Sequence, residues 1–160
     1  MKLWRVGVFV VLFAAATSWA ADEASWLTDF AKAQKAAAEK NLPILVDFSG
    51  SDWCGWCIKL EKEVLSQKEF QDFAKDSVIL FVADFPRQKK QSDEVKKQND
   101  ALAKKYGIEG FPTVLLLGAD GKELARTGYQ PGGAVAYVEH LKGLLKARPA
   151  ATPHPTPDKK

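Results

Sequence analysis

The sequence has 160 residues, of which 46% are hydrophobic and 27% are charged. A chain of this length can form one domain with a core of its own. Its formal net charge of +3 is close to neutral and argues against nucleic acid as a partner. The basic run at 87–90 is diluted by nearby acidic residues, and we interpret it as one face of a solvated helix. The chain is too large to be a cysteine-rich minidomain.

The first 20 residues have the three-part pattern of a secretory signal peptide. Lys2 and Arg5 precede an apolar run over 6–16, and the small residues Ser18 and Ala20 stand where a signal peptidase cuts. The run has 11 residues, whereas a membrane-spanning helix needs about 20, so a membrane anchor is disfavoured. We therefore expect cleavage after Ala20, export to the periplasm or secretion, and a mature net charge of +1. In that environment a disulfide can persist.

The mature chain opens with two predicted elements of different character. An Ala-rich helix is expected over 25–40, with Ser25 as its N-cap. The apolar stripe of this helix consists of Trp26, Phe30, Ala33 and Ala37. The short apolar run at 44–48 predicts a strand buried on both faces, interrupted only by Asp47.

The middle of the chain alternates between helical and strand-like patterns. A helix is expected over 54–64, and Ser66 with Glu69 forms a capping-box pattern that predicts the start of another. The apolar segment 77–85 predicts a second buried strand. The charged segment 86–106 is expected to be mostly helical.

Two further strands, over 113–117 and 122–127, are expected to form a hairpin because turn residues separate them. The glycine pair at 132–133 opens a last helix. One face of that helix is expected to consist of Val135, Val138, Leu141 and Leu145. The segment 148–160 contains four prolines and almost nothing to bury, which predicts a disordered tail after a domain over 21–147.

This order of elements predicts an α/β fold. A strand–helix–strand unit implies a right-handed crossover between two parallel strands, and the hairpin supplies an antiparallel half. We expect a three-layer α/β/α sandwich with a mixed central sheet of about four strands and helices on both faces.

The two cysteines, in the stretch "GSDWCGWC", are predicted to be a reactive pair. A disulfide across so short a loop would remove little unfolded-chain entropy, so a structural staple explains them poorly. A cysteine that begins a helix lies beside unpaired backbone N–H groups and the positive end of the helix dipole, which favour thiolate. Cys54 is therefore the predicted nucleophile and Cys57 the resolving thiol. Gly55 would let a partner chain approach, and Trp53 and Trp56 would flank the sulfur with apolar surface.

The segments "ILVDF…DWCGWC", "YGIEGFPTVLLL" and "DGKELARTG" resemble the thioredoxin family in order and spacing, over about residues 25–146. The resemblance implies the thioredoxin-like fold and dithiol–disulfide exchange with no cofactor beyond the redox-active cysteine pair. It also implies that Pro112 follows a cis peptide bond and packs beside the cysteines. Phe111 would then offer backbone hydrogen bonds to an extended substrate.

By the same resemblance, Asp47 corresponds to a buried strand carboxylate that assists proton transfer to and from Cys57. A carboxyl in an apolar strand should have a raised pKa, which suits a proton carrier. The sequence departs from the family in two ways: the interval from Asp47 to Cys54 is one residue longer, and the lysine usual on the neighbouring strand is missing. A strand-end aspartate facing solvent is the alternative. Asp52 is interpreted as a loop or cap residue.

Metal binding is the main alternative from another class. A zinc site needs four ligands, and His140 and His154 lie on the last helix and the tail, away from the pair. A copper(I) carrier with two thiolates stays open, because soft thiolates select that ion. Haem attachment would need histidine where Ile58 stands, and His140 is interpreted as a surface residue rather than a protease partner. A non-catalytic binding module would have little use for two cysteines.

The sequence thus predicts an exported thiol–disulfide oxidoreductase that reduces protein disulfides through Cys54 and Cys57. Trp56 replaces the proline that ordinary thioredoxins have between the cysteines, so disulfide oxidase and isomerase activities stay open as alternatives. The expected partners are proteins with disulfides or thiols and a separate membrane electron donor or acceptor. No metal is expected, and the protein is expected to be a monomer.

Overall fold

A four-stranded mixed sheet forms the centre of the computed structural model, which describes residues 25–147. The predicted signal peptide and Pro-rich tail lie outside the described residues. The elements are α1 (Phe30–Lys40), β1 (Ile44–Ser49), α2 (Gly55–Leu60), a π-helical turn (Glu61–Leu65), α3 (Lys68–Ser77), β2 (Ile79–Asp84), α4 (Asp93–Lys105), β3 (Thr113–Leu117), β4 (Glu123–Thr127) and α5 (Gly133–Ala147). In this part of the chain, no helix is long and apolar enough to cross a membrane.

The strand order is β2-β1-β3-β4, which confirms the predicted parallel pair and antiparallel hairpin. β1 runs parallel to β2 and antiparallel to β3, so the end of β1 lies beside the start of β3, with Phe48 opposite Thr113. This arrangement brings the loop after β1, which carries the cysteines, to the same end of the sheet as Phe111 and Pro112. The hairpin turn between β3 and β4 lies at the other end.

Each face of the sheet carries its own apolar core, which confirms the predicted three-layer sandwich. On one face, Leu45, Leu80 and Leu116 pack with the buried sides of α2, the π-helical turn, α3 and α5. On the other face, Val46 and Phe81 pack with α1 and α4. Successive strand residues point to opposite faces, which explains why the strands read as continuous apolar runs.

The first helix begins five residues later than the sequence predicts. Asp29, not Ser25, is the N-cap residue, and its carboxylate accepts a hydrogen bond from the N–H of Lys32. Before the helix, the Leu27 N–H donates to the carbonyl of Leu80, and the Leu27 carbonyl accepts a hydrogen bond from the N–H of Val82. The free edge of β2 therefore captures this segment in extended form. As a result Trp26 packs on the α5 face rather than in the stripe with the α1 residues.

The predicted capping box at Ser66 is also wrong. Gln67 occupies the N-cap position of α3, while the Ser66 hydroxyl donates to the carbonyl of Glu61. Ser66 thus still belongs to the end of the preceding π-helical turn, and its side chain completes that turn instead of starting the next helix.

Two other predicted faces are corrected. In α5, Val135 is 64% exposed, because the buried side of the helix consists of Ala134, Tyr137, Val138 and Leu141. The large Tyr137 ring sets the rotation of this helix against the sheet. In the charged segment, α4 begins only after its N-cap residue Ser92. The basic run at 87–90 is therefore an exposed loop rather than a helix face, and this loop is held against the cysteine loop as described below.

Candidate active site

The cysteine pair lies where the loop after β1 enters α2. Cys54 is the N-cap residue of α2, and its Sγ atom accepts a hydrogen bond from the backbone N–H of Cys57 at 3.2 Å. The two sulfurs form a disulfide with a Cα–Cα distance of 5.2 Å. Cys54 is 7% exposed and Cys57 3%, so both cysteines are shielded and Cys54 is the slightly more exposed residue. A backbone N–H aimed at a sulfur favours its thiolate form.

A tight turn presents Cys54 at this position. The carbonyl of Gly50 accepts hydrogen bonds from the N–H groups of Trp53 and Cys54, at 3.2 and 2.8 Å. A Cβ atom at Gly50 would lie 2.6 Å from the Trp53 indole, so only glycine lets the ring fold back over the turn. The indole Nε1–H donates to the carbonyl of Phe85, which anchors the ring to the end of β2.

Two carboxylates tie this loop to the end of β2 and to the segment that follows it. The Asp84 carboxylate accepts hydrogen bonds from the N–H and the hydroxyl of Ser51, at 2.9 and 2.6 Å. The Asp52 carboxylate accepts three backbone N–H groups, from Arg87, Gln88 and Lys89, at 2.8 to 3.0 Å. These bonds, with that from Arg87 foremost, lower the pKa of Asp52. Asp52 is thus a loop residue, consistent with its interpretation from the sequence.

Aromatic rings form one wall of the site. Phe111 packs edge-on against Trp53, with ring centroids 5.9 Å apart, and is tilted against Phe85 at 5.1 Å. The peptide bond between Phe111 and Pro112 is cis, as the resemblance implied. Both residues are half-buried and precede β3 directly, so their backbone lies at the end of the sheet that carries the cysteines.

The opposite wall combines Trp56, which the sequence singled out, with Tyr129, Lys59 and Glu63, which it did not. Trp56 is 58% exposed, and its ring lies 5.2 Å from that of Tyr129, which follows β4. The Lys59 ammonium lies 5.2 Å from both ring centroids, and the Tyr129 hydroxyl donates to Glu63 at 2.7 Å. The spacing of three between Trp56 and Lys59 is the only local pattern that could have indicated this cluster. Gly55 is exposed, and a Cβ atom there would meet nothing within 4 Å.

Asp47 lies inside the fold, so its interpretation as a solvent-facing aspartate is wrong. It is 6% exposed and lies on the same sheet face as Leu45, between Val82 and Val114 of the neighbouring strands. Within residues 25–147, its Oδ1 atom has no hydrogen-bond donor. Burial, followed by the negative charges of Glu61 and Asp84, raises the pKa of Asp47 to about 7.

Glu61 is a second carboxyl group that sequence reasoning missed. It begins the π-helical turn, four residues after Cys57, and its charge is close enough to raise the pKa of Asp47. Partial burial also raises the pKa of Glu61 itself. The spacing of four residues between Cys57 and Glu61 was visible in the sequence. It could not indicate a role for Glu61, because that requires knowing which face of the helix covers Asp47. Neighbouring Tyr137 donates its hydroxyl to the carbonyl of Gly128 rather than to Asp47.

The remaining candidates for metal or nucleophilic chemistry do not form a site in the described part of the chain. His140 is half-buried on α5, and its Nε2 atom lies 2.9 Å from the Thr127 hydroxyl. Among residues 25–147, no cluster of three or more histidine, cysteine, aspartate or glutamate side chains could hold a metal ion. The chemistry of the site therefore rests on the cysteine pair.

A cysteine pair at the start of a helix, at the end of the sheet that also carries a cis-proline loop, defines a thiol–disulfide oxidoreductase. A family model described as a thioredoxin-like domain matches residues 30–141. The chain belongs to this thioredoxin-like family, as its sequence motifs indicated. It is an oxidoreductase of the Dsb type, a class that works through active-site cysteines rather than an external cofactor.

The relatives are disulfide-exchange proteins. The chain is 40% identical over 119 residues to the disulfide bond reductase DsbH of Chlamydia pneumoniae, covering 74% of this chain and 72% of the relative. A solved DsbH oxidoreductase structure superposes with a TM-score of 0.74 at 38% identity, covering 79% of this chain and 87% of that one. The thioredoxin-related protein DsbJ of Chlamydia pneumoniae is 34% identical, over 78% of this chain but only 38% of its own length.

Proposed function

We propose that the protein is an exported disulfide reductase, whose Cys54–Cys57 dithiol reduces disulfides in other proteins. The observation that carries the proposal is the position of Cys54. Its sulfur caps α2 and accepts a hydrogen bond from the Cys57 N–H, and Cys54 is the more exposed of the two cysteines. The similarity to a protein named as a disulfide bond reductase supports the reducing direction.

The proposed reaction transfers two electrons in two exchange steps. In the first, the Cys54 thiolate attacks one sulfur of the substrate disulfide, forms a mixed disulfide and releases the other substrate sulfur as thiolate. In the second, the deprotonated Cys57 attacks Cys54 Sγ, and the second substrate sulfur leaves. The substrate gains two electrons and, with two protons, becomes a dithiol, while the protein is left with the disulfide between Cys54 and Cys57 that the structure contains.

Asp47 is proposed to accept the proton that Cys57 must lose in the second step. A base works best when its pKa is near the working pH, and burial brings the pKa of Asp47 to about 7. Its unpartnered Oδ1 atom leaves one oxygen free for a proton. The charge of Glu61 contributes to the raised pKa of Asp47 and would help to keep that pKa near neutral pH.

The substrate is proposed to lie in extended form across the two walls of the site. Phe111 and Pro112 would supply backbone contacts on one side, and the Trp53 ring packs against Phe111. Gly55, which presents open space beside the sulfur, would allow the substrate backbone to approach, and the exposed Trp56 ring would cover it from the other side.

The proposed cellular setting rests on the signal-peptide pattern of residues 1–20. These residues would direct export and be removed, 21–147 would form the catalytic domain, and 148–160 would be a Pro-rich tail outside that domain. In the periplasm or outside the cell, the oxidised pair would be re-reduced by a separate membrane electron donor, and the protein would act as a monomer. N-terminal sequencing of the exported protein should find a chain that starts at residue 21.

Insulin reduction by the two single-cysteine variants tests the proposed reaction. Cys54→Ser should abolish insulin-disulfide reduction, because it removes the attacking thiolate. Cys57→Ser is the matched variant, since it keeps that thiolate but removes the resolving thiol, and it should accumulate mixed disulfides visible on non-reducing gels. Full activity in both variants would contradict the proposal. Tight copper(I) binding without exchange activity would instead indicate a metal carrier, and an oxidising potential would indicate an oxidase.

A further inference from the structure

We propose that the loop after β2 makes the site selective for substrates with acidic residues beside their disulfide. The loop carries three exposed cations, Arg87, Lys89 and Lys90, which we call the basic rim. This inference rests on the proposed function, because it concerns the proteins on which the cysteine pair acts. It gives the substrate a chemical class: an acidic, extended peptide segment that contains a cystine.

The basic rim is held against the cysteine loop by direct contacts. Asp52, two residues before Cys54, accepts the three consecutive backbone N–H groups of residues 87–89. The Lys89 ammonium donates to the Ser51 hydroxyl at 3.1 Å, and Ser51 is bound in turn to the Asp84 carboxylate. The position of the basic rim is therefore restricted, because the backbone of residues 87–89 is hydrogen-bonded to the turn that presents the nucleophile.

Arg87 comes nearest to the surface on which a substrate would lie. Its guanidinium group stacks on the Trp53 ring, with Cζ 3.9 Å from the ring centroid. Trp53 directly precedes Cys54 in the sequence and packs against Phe111 in the proposed substrate wall. Stacking on an aromatic face fixes the plane of a guanidinium and leaves its N–H edge available to a carboxylate.

The part of the chain that the structure describes supplies no ion-pair partner for the charges of the rim. Across residues 25–147, no carboxylate lies within 4.0 Å of the cationic nitrogens of Arg87, Lys89 or Lys90. Asp52 is bound by backbone N–H groups, and its charge offsets that of Lys89 in part. On the opposite wall, by contrast, Lys59 already has a carboxylate partner in Glu63, at 3.9 Å. The cations of the site that have no ion-pair partner among the described residues are therefore on the rim side.

An acidic peptide is the partner that this arrangement favours. An arginine fork pairs with a carboxylate through two parallel hydrogen bonds, and exposed charges at the edge of an interface mainly raise the rate of encounter. The protein as a whole is nearly neutral, so the selectivity would be local to the site. Basic flanking residues would meet like charge and would be disfavoured, which gives discrimination in both directions.

Three synthetic cystine peptides test the inference, identical except for flanking residues of glutamate, glutamine or lysine. The rate constant of their reduction by the reduced wild-type protein should fall in that order at low ionic strength. The differences should shrink when the salt concentration reaches about 0.3 M, because salt screens exposed charges. In Arg87→Gln and in Lys89→Gln, the ratio of the glutamate to the glutamine rate should drop by about two- to fivefold, the range measured for exposed charge pairs.

Three further variants separate charge from structure. Arg87→Lys keeps the charge and should retain most of the preference for the glutamate peptide, whereas Arg87→Glu should reverse it. Lys122→Gln removes the same charge at the far end of the sheet, in the turn before β4, and should leave the ratio unchanged. If Arg87→Gln and Lys89→Gln have the same ratio of glutamate to glutamine rate as the wild type, the inference is overturned, while the proposed reductase activity is unaffected. If the wild type reduces none of the three peptides, the proposed function is overturned, and this inference with it.

Discussion

Replacing Asp47 by asparagine removes a carboxyl group that the fold keeps from water, with almost no change in side-chain size. Burial, followed by the charges of Glu61 and Asp84, raises the pKa of Asp47 from 3.8 to about 7. In the unfolded chain the same group titrates at about 3.9. Between these two values the folded protein binds more protons than the unfolded chain, so stability must fall as the pH rises.

The size of this effect follows from the difference between the two pKa values. At about 1.4 kcal/mol per pH unit, it corresponds to a free energy of unfolding on the order of 4 kcal/mol. The contribution is fully present below about pH 4 and is lost as the pH rises through about 7. Because asparagine does not titrate, the stability of Asp47→Asn relative to wild type should increase by this amount between about pH 4 and pH 8.

Urea unfolding of the oxidised proteins, followed by tryptophan fluorescence across this pH range, measures the effect. Asp76→Asn is the matched control, because Asp76 lies exposed on α3 and its carboxyl is in water in both states. A stability difference between Asp47→Asn and wild type that is the same at both ends of the range would refute the reasoning. In stopped-flow experiments, the same variant should resolve its mixed disulfide about 100-fold more slowly at neutral pH, the typical contribution of a general base.

Three further predictions concern packing and loop order. Gly50→Ala should destabilise the protein by about 1–3 kcal/mol, because its Cβ would collide with the Trp53 indole, whereas Gly55→Ala meets open space; equal urea midpoints for the two variants would contradict this. Asp52→Ala should speed hydrogen exchange at the amides of 87–89 by at least about tenfold without affecting β1, and unchanged protection would show that the carboxylate does not hold the loop. Leu115→Ala should cost about 3 kcal/mol, since Leu115 is fully buried in β3, and a loss below about 1 kcal/mol would argue against the packing described.

The sheet could be predicted from the sequence because its strands are nearly continuous apolar runs. β1, β2 and β3 are each buried on both faces, so burial alone produced the pattern that located them. The cysteine pair could also be predicted from the sequence, since its spacing and its position before a helix are local features. Cys54 indeed caps α2.

Several of the failures have their physical origin in long-range contacts. Leu27 follows a helical pattern, but the open edge of β2 supplies backbone hydrogen bonds that hold it extended. The basic run at 87–90 has the pattern of a helix face, but in the structure Asp52, some 35 residues earlier, binds its backbone and holds it as a loop. Trp56 and Tyr129 lie far apart in the sequence, so no local pattern could reveal their contact. The chemistry was therefore predictable, while the surroundings that tune it required the fold.

The reduction potential of the Cys54–Cys57 pair is the most direct test of the central claim, that this protein reduces disulfides. It can be measured by equilibrating the protein with glutathione mixtures and following the oxidised fraction by tryptophan fluorescence, since Trp53 and Trp56 flank the pair. We expect a reducing value, near the roughly −270 mV of thioredoxin. A value near the roughly −120 mV of a strong disulfide oxidant would contradict the claim.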